Sequence, residues 1–329
     1  DGISYAKGAS VLQQLVAHVG RDNFIKGLRL YFAKHAYGNT TLKDLIDQFH
    51  RDGYIFFENA ITSEQLASLN AELASWVDES KSHKKPFGKI KDGRPRFDIE
   101  PKTHSESTPA VRRITSPAEI SEICLDVVKD NNALDLVTEI FGPNITHLGN
   151  KINLKLPGSG TEVKFHQDFP FEPHSNEDIM TVLYFLDDVT LENGPLEVVP
   201  GTHNGPLHSH WHKGIFTGAV AENVASENKK NALSCIGKAG SACLMHSKLL
   251  HGSAPNRSSL PRSLFIITYK AEDAVALSPN HLPSDLVGMV VRGKETGTVR
   301  CTSYSIELPE YPKEVSFFGQ QSKSKNIAM

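Results

Sequence analysis

Two imidazoles and a carboxylate are spaced in this chain as metal chemistry would require. His166 and Asp168 lie two apart in Phe165-His166-Gln167-Asp168-Phe169, and His251 follows 85 residues after His166. Residues i and i+2 of a β-strand share a face. The flanking aromatic residues therefore predict a half-buried strand that projects His166 and Asp168 together and Gln167 to the opposite side. With His251 these residues make a facial triad, the donor set that holds Fe(II) on one face and leaves positions open for a cosubstrate and O2. A His-x-Asp pair arises by chance in many chains, and a single histidine is more often packed than ligating. The neighbouring residues decide.

The run after His251 adds an anion grip. Arg262 stands eleven residues beyond His251, at the start of an apolar segment. A hairpin of that length returns Arg262 alongside the metal. Arginine pairs bidentately with carboxylates, and Ser253, two after the histidine, shares its face and adds a hydroxyl. Together they suit the far carboxylate of 2-oxoglutarate, whose keto-acid end chelates iron. Taken alone, Arg262 reads as a surface ion pair; after a triad it reads as a ligand.

The elements around these residues point to one architecture. The 329 residues allow one large domain or two ordinary ones, with 39% hydrophobic and 22% charged residues as in globular proteins. Thr62 and Gln65 have capping-box spacing for an amphipathic helix through Leu66, Leu69, Leu73 and Trp76. Lys81 to Arg96 reads as a basic, solvated loop, or as a lid over an anionic substrate. Ser116-Pro117-Ala118-Glu119 predicts a helix start and a helix to about Lys129. A second helix spans about 133–141. From Ile145 onward, short apolar or alternating runs separated by turn residues such as Glu192-Asn193-Gly194-Pro195 predict strands. Helices followed by many short strands predict a mainly β fold with flanking α-helices, an antiparallel sandwich or jelly roll.

Composition narrows the partners. A net charge of −3 speaks against a broad basic nucleic-acid surface. No apolar run approaches the ~20 residues that a bilayer-spanning helix needs. Cys124, Cys235, Cys243 and Cys301 form no Cys-x-x-Cys and fit a reducing compartment, which predicts a cytoplasmic protein. The expected partner is a small-molecule substrate, with no nucleic acid and no membrane.

Four motifs in order resemble one known family. His166-Gln167-Asp168, Glu192-Asn193-Gly194-Pro195-Leu196, Val199-Pro200-Gly201-Thr202-His203, and His251-Gly252-Ser253 through Arg262 are similar to the phytanoyl-CoA dioxygenase family, as is the opening Arg51-Asp52-Gly53-Tyr54. The resemblance covers about residues 47–320. It implies a double-stranded β-helix of the cupin-like jelly-roll kind, with metal ligands at His166, Asp168 and His251. It implies 2-oxoglutarate binding at Arg262 and Ser253, with Gln167 a further match and Lys155 a looser one. Fe(II), 2-oxoglutarate and O2 are the implied cofactors, with ascorbate to keep iron reduced. The implied reaction hydroxylates a small organic substrate and releases succinate and CO2. Related halogenases carry a small residue where Asp168 stands, so a carboxylate there implies hydroxylation. In this family a segment after the Gly-Thr-His turn lies over the active site, which makes Trp211 and His208 substrate candidates. Arg113, beside Arg112, is a third, although such a pair is usually solvated. His208, His210 and His212 alternate around Trp211; they read as a polar loop before they read as a second metal site.

The first 48 residues differ in kind. Their apolar spacing predicts helices over about 10–19 and 22–35, then a third after Thr41. Ile3-Ser4-Tyr5-Ala6-Lys7-Gly8-Ala9 and Tyr31 to Asn39 resemble a piece of the zinc aminopeptidases related to aminopeptidase N, in which the residue matching Tyr5 stabilises the transition state. The zinc motif H-E-x-x-H is absent from the chain. The expectation is a helical remnant over 1–48, fused or mis-joined and without peptidase activity, before a dioxygenase-like domain over 49–329. Two rivals remain: a catalytically idle small-molecule-binding protein on the same scaffold, and a zinc aminopeptidase fragment.

Overall fold

From residue 145 onward alternating side chains and β-branched runs make eleven strands, and the described strands form one large sheet, one small sheet and a separate two-stranded pair. The computed structural model describes residues 42–158, 162–311 and 321. By its backbone contacts the chain divides between Leu45 and Ile46. The expected helices over 10–19 and 22–35, and Tyr5, lie outside the described residues, as does the tail beyond 321.

In chain order, α1 (Leu42–Asp52) leads into β1 (Tyr54–Phe57) and α2 (Ser63–Ser80). β2 (Phe97–Ile99), β3 (Val111–Thr115), α3 (Glu122–Lys129) and α4 (Asn132–Phe141) follow. Then come β4 (Ile145–Lys155), β5 (Val163–His166), β6 (Ile179–Phe185), β7 (Leu196–Val198), β8 (Trp211–His212), β9 (Ile215–Phe216) and α5 (Glu222–Lys229). The series closes with β10 (Leu233–Cys235), β11 (Ala242–His246), β12 (His251–Ser253), β13 (Arg262–Ala271) and β14 (Val290–Arg292).

The major sheet runs β1-β11-β6-β13-β4-β3-β2, with β14 also on β4. The minor sheet runs β10-β7-β12-β5. Every pairing between these strands is antiparallel, including β1 with β11 and β12 with both β5 and β7. Non-consecutive strands as neighbours are the mark of a jelly roll. Leu183, Phe185, Met245 and Ile266 of the major sheet pack with Leu196 and Val198 of the minor one. That apolar layer fixes the separation of the two sheets.

Local signals were honoured unevenly. Thr62 and Gln65 close the expected capping box at the start of α2. Ser116 does not start a helix: it sits at φ +50° with no side-chain cap, followed by a single 3-10 turn. The α-helix begins at Glu122 and Ser121 caps it. Glu119, expected to complete the Ser116 box, instead pairs with Arg96 at 2.6 Å and accepts from the Asp285 amide. Tertiary partners outcompeted the local box. Arg96 is buried and donates to the carbonyls of Thr115 and Ser116, so the end of the basic 81–96 segment is structural rather than solvated.

Two of the recognised motifs meet. The Gly201 amide donates to Asp52 O (2.8 Å). Gly53 has φ +80°, and a Cβ there would lie 2.4 Å from His203 Nδ1. Only glycine lets the start of β1 pass this close to the Gly-Thr-His turn.

The helices are bolted to the major sheet by one buried amide. Asn131 Oδ1 caps α4 through Leu134 N (2.8 Å) and accepts from Tyr184 Oη (2.6 Å). Its Nδ2 donates to Val127 O and Tyr269 Oη (2.8 and 3.0 Å). Asn131→Ala removes the cap and leaves buried hydroxyls short of partners. It should cost on the order of 3 kcal/mol in urea unfolding, well above the ~1 kcal/mol of an ordinary cap loss.

Candidate metal centre and cosubstrate pocket

β5 and β12 are neighbours in the minor sheet, and their register pairs His251 with His166 directly. Both residues are buried, and their ring centroids are 4.1 Å apart. Asp168 reaches the same point differently from the strand expectation. β5 ends at His166, and Asp168 adopts helical angles (φ −73°, ψ −36°) at the head of the 3-10 turn Phe169–Phe171. A bend, not strand alternation, therefore turns its carboxylate back. The Phe169 amide anchors that bend on Ser247 O (2.9 Å).

Thr181 on β6 donates to Asp168 Oδ2 (2.9 Å). Oδ1 is left 3.5 Å from His166 Nε2 and 3.7 Å from His251 Nε2. One ligand atom from each of the three residues lies within 4.8 Å of the others. Nothing in the sequence marked Thr181, which sits inside an apolar run.

The donor set fits a divalent cation. His166 Nδ1 lies 2.8 Å from Lys164 O, and His251 Nδ1 2.9 Å from Leu249 O. A carbonyl only accepts, so each Nδ1 holds the proton and each Nε2 turns a lone pair to the common point. Burial lowers His251 to about 4, which keeps the ring neutral near pH 7. Burial would raise the Asp168 carboxyl, but His251 and His166 outweigh it and hold the group well below the usual carboxylate range. Two imidazole Nε2 lone pairs and one ionised carboxylate are ligands that a divalent first-row metal takes.

A cavity opens from the triad toward the inner face of the major sheet. Residues Lys151, Asn153 and Lys155 alternate along β4 and all line it. Arg262 is the cross-strand partner of Lys155. Lys155 Nζ contacts Ser253 Oγ and Ala254 O, and lies 3.2 Å from Ser253 O. Arg262 Nη2 donates to Gly194 O, while its buried Nε has no partner. Gly194 has φ +74°, and a Cβ there would lie 2.5 Å from Lys155 Cδ. Burial lowers Arg262 to about 10, and burial with Arg262 beside it lowers Lys155 to about 7. A carboxylate placed here would find a guanidinium N–H without a partner, a hydroxyl and an ammonium.

The remaining predicted residues fall elsewhere. Gln167 is fully buried but does not line the cavity: its amide donates to Lys248 O and Pro206 O and accepts from His208 N. Those bonds clamp Gln167 to the 206–208 segment and to Lys248. Trp211 and His208 border a different depression, beside Ser305 and Glu307, and Trp211 Nε1 donates to Leu308 O (3.2 Å). His210 is buried against Phe171 and Phe216. Among the described residues the metal-capable group is the triad, and the His208–His212 run adds none. Arg112 and Arg113 split: Arg112 pairs with Asp98 and Glu100, whereas Arg113 is buried and lines the cavity.

A jelly roll with two imidazoles and a carboxylate converging between its sheets defines a non-haem iron oxygenase. The profile of the family described as phytanoyl-CoA dioxygenase (PhyH) matches residues 49–264, and the chain belongs to that family. A probable alpha-ketoglutarate-dependent hypophosphite dioxygenase from Stutzerimonas stutzeri is 32% identical over 226 residues, 67% of this chain and 77% of that protein. The crystal structure of EctD from S. alaskensis with 2-oxoglutarate and 5-hydroxyectoine superposes with a TM-score of 0.57 at 22% identity. It covers 71% of this chain and 78% of that one. At the other end, the peptidase family M1 domain matches residues 1–76. Aminopeptidase N of Streptomyces lividans is 65% identical over 46 residues, 14% of this chain and 5% of that enzyme. The family and the donor set together make this chain an Fe- and 2-oxoglutarate-dependent dioxygenase.

Thr181→Val frees Asp168 Oδ2 without changing side-chain volume much. Iron or cobalt affinity should fall by roughly 10-fold or more, as for other lost outer-shell partners of a metal ligand. An anaerobic metal titration reads this, with the circular dichroism spectrum unchanged.

Proposed function

We propose that this chain hydroxylates a small organic molecule, with Fe(II) on His166, Asp168 and His251 and with the far carboxylate of 2-oxoglutarate on Arg262. The observation that carries the reading is the meeting of the two histidine Nε2 atoms and Asp168 Oδ1 in a cavity that also holds a buried guanidinium with a free N–H. With iron and 2-oxoglutarate bound, the centre couples loss of CO2 from 2-oxoglutarate, which becomes succinate, to insertion of one O2 oxygen into a substrate C–H bond.

The protein's own share is placement. The Lys164 and Leu249 carbonyls fix both histidine tautomers, and Thr181 fixes the carboxylate. Arg262, Ser253 and Lys155 orient the diacid. Leu183, Leu264 and Ile266 give the cavity an apolar wall that excludes water, which favours reaction at the substrate over hydrolysis or leakage.

Residues 1–48 belong to the proposal as an aminopeptidase-like remnant ahead of the dioxygenase domain. The short match to aminopeptidase N and the absence of H-E-x-x-H from the chain support a segment without peptidase activity. A reducing, cytoplasmic setting is also part of it, supported by the four thiols; Cys235 and Cys243 lie with sulfurs 3.5 Å apart and unbridged. No described helix is long and apolar enough to cross a membrane.

Anaerobic titration with Fe(II) and then 2-oxoglutarate tests the centre through its weak visible charge-transfer band. The wild type should develop the band. Asp168→Ala should fail to retain iron, and Arg262→Ala should keep iron but need roughly 10-fold or more 2-oxoglutarate, the scale of a lost charge-assisted pair. Folded, iron-loaded wild type without a band would move the idle binding protein to first place.

A further inference from the structure

We infer that the substrate is itself an anion, and that Arg113, Lys151 and Asn153 hold its carboxylate or phosphorus oxyanion while Arg262 holds 2-oxoglutarate. This rests on the dioxygenase reading and concerns a second cluster in the same cavity. Arg113 is 6% exposed. Its Nε has no hydrogen-bond partner, and the nearest acidic strand neighbour, Asp98, is already held by Arg112 at 2.6 and 3.1 Å. Asn153 is the cross-strand partner of Arg113, lines the same wall, and has a buried, unpartnered Oδ1. Lys151 follows on the same face of β4, in range of the Asp168 charge.

Position separates this cluster from the cosubstrate grip. Lys151 and Lys155 are four strand residues apart, ~13 Å along β4. The Lys155 end meets Ser253, on the strand of His251. The Lys151 end faces Asp168 and Glu172. One diacid anchored at Arg262 with its keto-acid end at the triad leaves Arg113 and Lys151 uncovered.

Charge points the same way. Four cationic side chains and two carboxylates line the cavity, and one of those carboxylates, Glu172, has Oε1 2.9 Å from His281 Nδ1. A divalent metal and a doubly charged cosubstrate offset each other, so the wall keeps a net positive charge even with Lys155 only partly protonated. Burial lowers Arg113 to about 10, and burial followed by Arg113 itself lowers Lys151 to about 8. A buried cation without a partner is costly, and an oxyanion set between buried Arg113 and half-buried Lys151 relieves it. Guanidinium and ammonium donors recognise carboxylate and phosphorus oxyanions alike.

The test uses the full chain loaded anaerobically with Fe(II) and 2-oxoglutarate. Hypophosphite and butyrate are the probes, butyramide the uncharged control, read by calorimetry and by thermal shift. At least one anion should bind and raise the melting temperature where butyramide does not; which anion does so distinguishes the two chemistries. Arg113→Met and Lys151→Met should each weaken that anion by roughly tenfold or more, with 2-oxoglutarate affinity within about twofold of wild type. Arg262→Met should show the reverse pattern. Without ligands, Arg113→Met should melt no lower than wild type, because it removes a buried unpaired charge.

Three results would overturn the inference. The anions could bind no better than butyramide; Arg113→Met could lose 2-oxoglutarate as severely as Arg262→Met; or Arg113→Met could unfold at markedly lower temperature, which would make the residue structural. A protein that binds neither iron nor 2-oxoglutarate fails the dioxygenase reading first. One that binds both but no anion fails this inference alone.

Discussion

One backbone pairing governs the site: His166 opposite His251 between two short strands of the minor sheet. The register sets the two imidazoles side by side, tilted 49° to each other, without any side-chain contact having to hold them. A slip of one residue would send each ring to the opposite face. Everything else at the centre is adjustment around that pair. The neighbouring carbonyls choose the tautomers, and the bend after His166 supplies the carboxylate.

The major sheet contributes a different kind of order. β4 and β13 are its longest strands, and they pair along nearly their whole length. Alternation along β4 lines up Lys151, Asn153 and Lys155, and the cross-strand neighbours Arg113 and Arg262 stand beside that row. A row of buried and half-buried cations would be a poor way to stabilise a fold. The apolar layer between the sheets supplies the stability that this row takes away, and the arrangement makes sense as a receptor for anions.

Much of this could be read from residue order, and the failures have physical reasons. That His166, Asp168 and His251 would meet, and that Ser253 and Arg262 would reach the same cavity, could be read from spacing, although Asp168 arrives by a bend rather than along the strand. The Thr62–Gln65 box was legible because both partners are local. The Ser116 start failed because Arg96, twenty residues away, took the glutamate that the box required. β3 was missed because adjacent arginines interrupt its apolar pattern. That same strand sends Arg112 to Asp98 and Glu100, and Arg113 into the cavity. Gln167 resembles a cosubstrate contact by motif; β5 ends just before it, and its amide is held by the Lys248 and Pro206 carbonyls. Thr181 and Lys151 gave no signal at all, since their importance comes from what lies across the cavity.

The unequal strand lengths have a consequence for how the protein holds itself together. The minor sheet's strands are three or four residues long, whereas β4 and β13 have eleven and ten. Short ladders open locally at small free-energy cost. A ligand that binds only the closed arrangement stabilises it in proportion to its occupancy. A metal held by His166, Asp168 and His251 would therefore be a clasp as well as a reagent, because those three residues come from β5, the turn after it and β12, the half of the sandwich that the backbone fastens least.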